Sequence, residues 1–129
     1  MIFIVGGASQ GKCRLAGELS GMSLQEFAAN RADGGTDRPE EAMKKRFLTD
    51  FHGWIRQLSD AGEETDSFVR QVLAAGPEIV TMDEVGCGID PRKKKDREYR
   101  EAAGRAGQQL AGQAERVYRV VCGIPTRLR

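Results

Sequence analysis

Short apolar runs alternate with longer amphipathic segments along this chain. Buried strands are predicted at 2–5, 79–82 and 117–122, because these runs lack polar alternation and are rich in β-branched residues. A strand that is covered on both faces shows such a continuous pattern.

Helices are predicted between these strands. The clearest one begins at Pro39, since proline suits a first helical turn and acidic residues suit the positive end of the helix dipole. Apolar residues then recur at helical spacing until Gly62, so one helix is expected over this stretch. Further helices are predicted over 12–19, 66–75 and 94–113, with a helical turn near 24–28 and a loop at 33–35.

The alternation of strands and helices predicts parallel βαβ units in one α/β domain over residues 1–129. Folds of this kind bind ligands at the carboxyl ends of their strands. Functional residues are therefore expected in the segments that follow the predicted strands.

Charge and hydropathy exclude several classes of protein. The 20 basic and 19 acidic residues give a net charge of +1, which disfavours a nucleic-acid binder. The basic run at 92–95 is interrupted downstream by acidic residues and is interpreted as a solvated helix start. No apolar run approaches the ~20 residues of a membrane span.

Cysteine and histidine usage favours a cytoplasmic protein. Cys13, Cys87 and Cys122 are widely spaced, so neither a disulfide framework nor a zinc finger is expected beside a single histidine. No basic residue precedes the first apolar run, and glycine ends this run after a few residues, so no signal peptide is expected. His52, within the helix predicted from Pro39, is interpreted as a core or groove residue in preference to a catalytic one.

A glycine loop follows the first predicted strand and opens the first predicted helix. It matches GxxxxGK, a pattern whose backbone N–H groups surround phosphates while the lysine reaches the β and γ phosphates. An ordinary βα turn is the alternative. The predicted nucleotide-binding residues are Gly6, Gly7, Ala8, Ser9, Gln10, Gly11, Lys12 and Cys13.

Cys13 stands where this motif usually has Ser or Thr. The usual hydroxyl binds Mg²⁺, and a thiol is a poor ligand for that hard cation. Either carboxylates and water hold Mg²⁺, or turnover is impaired; a small packing residue is the simpler interpretation of Cys13.

Two acids, Asp83 and Glu84, follow the second predicted strand. Nucleotide enzymes place an acid there to hold Mg²⁺ or to polarise an attacking oxygen. A turn or helix cap is the alternative. Lys12, Asp83 and Glu84 are the candidate catalytic residues, and the two acids are the candidate Mg²⁺ ligands.

The segment from Glu84 to Pro91, EVGCGIDP, resembles the NEVGxGIVP motif of the adenosylcobinamide kinase / adenosylcobinamide-phosphate guanylyltransferase family of cobalamin biosynthesis. The resemblance continues from Arg97 through the AGR and QxLA segments to VVCGIP, and the glycine loop resembles the family's GGARSGKS. It covers about residues 2–18 and 78–127.

This resemblance implies a P-loop NTPase with a RecA-like parallel sheet flanked by helices. It also implies ATP or GTP with Mg²⁺, phosphorylation of the aminopropanol hydroxyl of adenosylcobinamide, and a homo-oligomer. Gln10, Cys13 and Asp83 depart from the family's pattern, and Asp83 is expected to supply a hard ligand that Cys13 does not.

The family's second activity uses a histidine that becomes linked to GMP and precedes a Gly-Arg-Pro segment. Asp37-Arg38-Pro39 resembles a remnant of that segment, and Asp33 or Gly34 stands where the histidine would fall. Since this region is also shorter, guanylyltransferase activity is not expected. A non-catalytic nucleotide-binding paralogue acting as a regulatory or partner subunit is the alternative to a kinase.

Overall fold

The chain folds around one six-stranded sheet. The structure, a computed structural model, describes residues 1–85 and 92–129, so most of the predicted second glycine loop, with Cys87, lies outside the described residues. The strands are β1 (Ile2–Gly6), β2 (Arg31–Asp33), β3 (Phe47–Thr49), β4 (Ile79–Asp83), β5 (Arg116–Val121) and β6 (Ile124–Arg127). Their order is β2-β3-β4-β1-β5-β6, and only the β5–β6 pairing is antiparallel among them.

The helices flank this sheet. They are α1 (Lys12–Ser20), α2 (Leu24–Ala29), α3 (Phe51–Asp60), α4 (Thr65–Ala75) and α5 (Lys94–Gln113), with a 3₁₀ segment at Pro39–Met43. The predicted α/β class with a mainly parallel sheet is confirmed. None of the helices in the described ranges combines the length and the apolar character that a membrane crossing requires.

The prediction of one helix from Pro39 to Gly62 is wrong. The structure breaks this stretch into the 3₁₀ segment, the strand β3 and the helix α3. Phe47 and Leu48 are both buried, but they pack into different cores on the two faces of the sheet. Successive side chains of a strand point to opposite faces, whereas the apolar spacing alone also fits a helix.

Two further strands were missed because they are short or exposed. The three-residue strand β2 pairs with β3, which brings Asp33 beside Thr49 at the carboxyl edge of the sheet. All four residues of β6 are exposed, so this edge strand has no apolar signature. The loop predicted at 33–35 begins on the last residue of β2, Asp33.

The sheet separates two hydrophobic cores. The larger lies beneath α3, α4 and α5 and contains Trp54, which is fully buried, together with Phe51 and Phe68. The smaller lies beneath α1 and α2, where Phe27 stacks on Phe47 with ring centroids 5.0 Å apart. Because β1 to β5 run parallel between these cores, their carboxyl ends meet at one edge of the sheet.

Register determines which residues meet at that edge. Gly6, the last residue of β1, pairs with Asp83 of β4 on one side and with Val120 of β5 on the other. The glycine loop therefore starts beside the acid that ends β4. The next strand along the sheet, β3, ends directly before Asp50.

Candidate phosphate-binding site

The loop from Gly6 to Cys13 turns from the end of β1 into the first turn of α1. Gly11 caps the helix with a φ of 103°, and Ser9 has a φ of 58°, so both lie in the left-handed region. Glycine accepts this conformation at little cost, whereas a residue with a side chain is strained there. Left-handed residues in such a loop direct its backbone N–H groups into a concave surface, which binds anions at the amino terminus of a helix.

Gln10 ties the loop to the turn between β5 and β6. Its backbone oxygen accepts from the N–H of Gly123 at 2.8 Å, and its side-chain Oε1 accepts from the N–H of Cys122 at 2.7 Å. The resembled family has serine at this position. Here the longer amide side chain adds one hydrogen bond to the hairpin turn, beside the one that the backbone oxygen accepts.

Lys12 lies folded over the loop. Its Nζ donates to the carbonyl oxygen of Gly7 at 2.6 Å and lies 2.6 Å from Oδ1 of Asp83. The residue is only 5% exposed, so its charge needs these partners. Phosphates entering the cleft would have to replace Asp83 as the partner of this ammonium group.

His52 contacts the other carboxylate oxygen of Asp83. The N–H of Asp83 donates to Nδ1 of His52 at 3.1 Å, and Nε2 lies 3.3 Å from Oδ2 of Asp83. Because Nδ1 accepts, the proton of the neutral ring lies on Nε2, which can donate to Oδ2. His52 therefore contacts the end of β4, and this strand end orients its ring.

Asp50 completes an acidic cluster that the sequence did not reveal. It follows β3 with a φ of 52°, and its N–H donates to Oγ1 of Thr81 at 3.1 Å. Burial, with further contributions from the charges of Asp33 and Asp83, raises the pKa of Asp50. Ligand atoms of Asp50, His52 and Asp83 all lie within 4.8 Å of one another.

A close glycine contact places this cluster. A Cβ built on Gly53 would lie 2.2 Å from the carbonyl oxygen of Gly34, and one on Gly34 would lie 2.1 Å from that of Asp50. The first turn of α3 therefore approaches the loop after β2 as closely as backbones can. This contact sets where Asp50 and His52 stand relative to the glycine loop.

Glu84 occupies a different position from Asp83. Its two carboxylate oxygens accept from Nε and a terminal nitrogen of Arg119 at 2.6 and 3.1 Å. This bidentate pair joins the segment after β4 to β5, across β1. Of the two predicted acids, Asp83 is the one that contacts Lys12.

Cys13 is exposed at the start of α1, with its thiol facing Arg31. A terminal nitrogen of Arg31 donates to Sγ of Cys13 at 3.2 Å. A guanidinium group on the sulfur leaves this position unsuited to a hard cation. The carboxylates across the cleft are better placed for that task.

The glycine loop and two of the acids line one cleft of about 440 Å³. Its walls combine the loop residues Ala8 to Arg14 with Asp50 and Asp83.

The exposed residues Lys93 to Lys95 lie at the start of α5, and Lys94 pairs with Glu98 at 3.7 Å.

Sequence reasoning missed Asp50 and gave His52 no place at the cleft, because both fell within a helix predicted to be continuous. The signal that was present is the short run Phe47-Leu48-Thr49 followed at once by an acid, which resembles the end of β4 at Thr81-Met82-Asp83. Weighing that repeat above the helical spacing would have placed both residues near the loop.

Comparison with known proteins identifies relatives of this chain. The family model described as cobinamide kinase / cobinamide phosphate guanyltransferase matches residues 40–128, well over half of the chain. The match contains Asp50, His52 and Asp83, whereas the glycine loop precedes it. The resemblance to this family that the sequence indicated is thereby confirmed.

Two curated relatives carry the same name, bifunctional adenosylcobalamin biosynthesis protein CobU. The protein of Escherichia coli K12 is 41% identical over 51 residues, and that of Salmonella typhimurium LT2 is 39% identical over 51 residues. In both cases the aligned stretch covers 40% of this chain and 28% of the relative.

Proposed function

Because the chain belongs to the cobinamide kinase / cobinamide phosphate guanyltransferase family, we propose that it phosphorylates the aminopropanol hydroxyl of adenosylcobinamide, with ATP or GTP as donor. Family membership brings with it a P-loop NTPase fold and nucleotide binding. One observation carries the proposal: Lys12 of the glycine loop meets Asp83 of the family-matched segment at 2.6 Å.

The loop supplies the phosphate end of this site. Its N–H groups and the amino terminus of α1 would surround the α and β phosphates, and Lys12 would reach the β and γ phosphates. The buried ammonium group must exchange one anionic partner for another, which keeps its charge compensated throughout. Asp83 is released by the same exchange.

Mg²⁺ suits the acids that face the loop. Asp50 and Asp83 offer carboxylate oxygens within 4.8 Å of each other, and oxygen is the ligand that Mg²⁺ prefers. When bound, Mg²⁺ supplies positive charge that offsets the charge of the phosphates. Asp50 and Asp83 would hold it, while His52 would keep the carboxylate of Asp83 turned towards the cleft.

Glu84 can act on the phosphates only if its pair with Arg119 opens. We therefore assign Asp83 the primary role that the sequence divided between the two acids. Glu84 would stabilise the strand end on which Asp83 stands.

We further propose that the chain does not transfer guanylyl groups. Its one histidine, His52, has both ring nitrogens engaged with Asp83. Where the family's histidine is expected, this chain has Asp33 at the end of β2 and Gly34 directly after it. Incubation with GTP labelled on the α phosphate should leave the intact mass of the protein unchanged, and a GMP adduct would refute this proposal.

The kinase proposal is tested by transfer of labelled γ phosphate from ATP or GTP to adenosylcobinamide. Lys12→Ala should reduce the rate about 10²-fold or more, as loss of a charge-stabilising group commonly does. The exposed Lys44→Ala is the matched control and should transfer at the wild-type rate. Equal rates for both variants would refute the assignment.

A non-catalytic, nucleotide-binding subunit is the second candidate. The thiol of Cys13, bound by Arg31 in place of a hydroxyl that could hold Mg²⁺, is the observation that favours it. Nucleotide-induced thermal stabilisation without any phosphate transfer to adenosylcobinamide would decide for this candidate.

A further inference from the structure

A second cavity of about 630 Å³ lies between α1 and α2. Its wall is mainly apolar and includes Gly17, Met22, Leu24, Phe27 and Arg31. We call this cavity the side groove. Its volume falls within the range of about 300–1,000 Å³ that is usual for small-molecule sites.

The side groove adjoins the phosphate cleft. Cys13 and Arg14, in the first turn of α1, line both cavities. Asp50 and Asp83 belong to the cleft wall and do not line the side groove. The two cavities therefore meet at the helix side of the cleft, away from the acids.

The lysine sets the direction of a bound triphosphate. Because Lys12 reaches the β and γ phosphates, the γ phosphate belongs where its Nζ meets Asp83. The α phosphate then lies towards the first turn of α1, and the nucleoside must continue beyond it. The side groove opens from this first turn, since Cys13 and Arg14 line both cavities.

We propose that the side groove binds the ribose and base of the nucleotide whose phosphates the glycine loop holds. This inference rests on the proposed nucleotide-dependent function. It identifies the surface that would distinguish a nucleoside triphosphate from an inorganic polyphosphate.

The chemistry of the wall suits a planar heterocycle. Arg31 presents a guanidinium group, which stacks well on aromatic rings, and the nearly buried Phe27 forms part of the apolar wall. Leu24 lines the groove and is 87% exposed in the chain alone, so its side chain is available for contact. A base lying between these side chains would cover this exposed surface.

Gly17 offers a way to fill the side groove without disturbing the fold. A Cβ at this position would meet only the ring of Phe27, at an ordinary contact distance of 3.9 Å. Replacing glycine inside a helix also improves helix propensity. Gly17→Leu should therefore occupy the groove in a folded protein.

The experiment compares ATP and GTP with inorganic tripolyphosphate, each titrated into the full chain by calorimetry with Mg²⁺. Gly17→Leu should weaken the tighter-binding nucleotide about tenfold, equivalent to roughly 1.4 kcal/mol, while tripolyphosphate binds within about twofold of wild type. Gly112→Leu is the matched control, since Gly112 is an exposed helical glycine with open space around it. It should change neither affinity.

Leu24→Ser is a second test that does not depend on filling the groove. This exposed side chain makes little contribution to the core, so the variant should fold and lose nucleotide affinity while keeping tripolyphosphate affinity. Wild-type affinity of both variants for ATP and GTP would overturn the inference and leave the kinase proposal intact. Weakened binding of cobinamide alone would assign the side groove to the acceptor and would also overturn it. If tripolyphosphate fails to bind to the wild-type chain, the proposed function and this inference both fall.

Discussion

Lys12 and Asp83 form an ion pair across the phosphate cleft, with Nζ and Oδ1 separated by 2.6 Å. The lysine is nearly buried, and the second carboxylate oxygen of Asp83 faces His52. The lysine of the glycine loop is thus paired with the acid proposed to hold Mg²⁺. Binding of nucleotide and release of Asp83 are coupled, because both require this pair to open.

Asp83→Asn should separate the effects of the metal and the phosphate. With Mg²⁺, nucleotide affinity should fall about tenfold, or roughly 1.4 kcal/mol, because a charged ligand oxygen is lost. With EDTA it should not fall, since Asp83 then only repels phosphates and competes for Lys12. Titration under both conditions checks this, with Glu84→Gln as the comparison. Equal losses for both variants, or unchanged Mg²⁺ dependence for Asp83→Asn, would contradict the role given to Asp83.

Cys13→Ser should restore the hydroxyl that the motif usually supplies. The Mg²⁺ concentration that half-saturates nucleotide binding should fall about tenfold, which corresponds to roughly 1.4 kcal/mol. Cys13→Ala keeps the size of the residue small and adds no oxygen, so it should behave like wild type. If wild type, Cys13→Ser and Cys13→Ala all show the same Mg²⁺ dependence, the idea that Mg²⁺ lacks a ligand at this position is refuted.

Gly53→Ala should destabilise the fold by about 1–3 kcal/mol, the usual cost of overpacking. Its Cβ would lie 2.2 Å from a backbone oxygen, so either α3 or the loop after β2 must move. Urea denaturation measures the change in the free energy of unfolding. Gly112→Ala, in open space on α5, is the control and should be neutral or slightly stabilising. Equal stability of the two variants would show that the close contact does not constrain α3.

Tyr99 should make the fold sensitive to alkaline pH. Burial raises the pKa of Tyr99 from 10.0 to about 12, so the folded state resists its ionisation. The unfolded chain then binds fewer protons than the folded one between these two pH values, and stability falls as pH rises through this window. Below pH 10 the effect is absent.

Thermal unfolding from pH 8 to pH 11.5 measures this dependence. Tyr99→Phe, which removes the ionisable hydroxyl and keeps the ring that lies 4.8 Å from the guanidinium carbon of Arg56, should lose less stability than wild type above pH 10. Parallel profiles of the two proteins would rule out the buried phenol as the cause.

Local chemistry was sufficient to predict the glycine loop, the strand that precedes it and the helix that follows it. Backbone freedom at glycine and the reach of one lysine are local properties, so GxxxxGK between a strand and a helix predicts its own geometry. The same holds for α5, whose predicted bounds the structure confirms. The family resemblance carried by residues 84–125 is also a property of the sequence alone, since it depends only on the order of residue types.

The acidic cluster depended on tertiary structure. Asp50 and His52 come to the loop only because β3 lies beside β4, and a three-residue strand gives too few positions for its period to outweigh the helical spacing around it. The division of labour between Asp83 and Glu84 was likewise open in the sequence. Adjacent residues leave a strand in opposite directions, and the positions of Lys12 and Arg119 in the folded sheet give each acid its own cation.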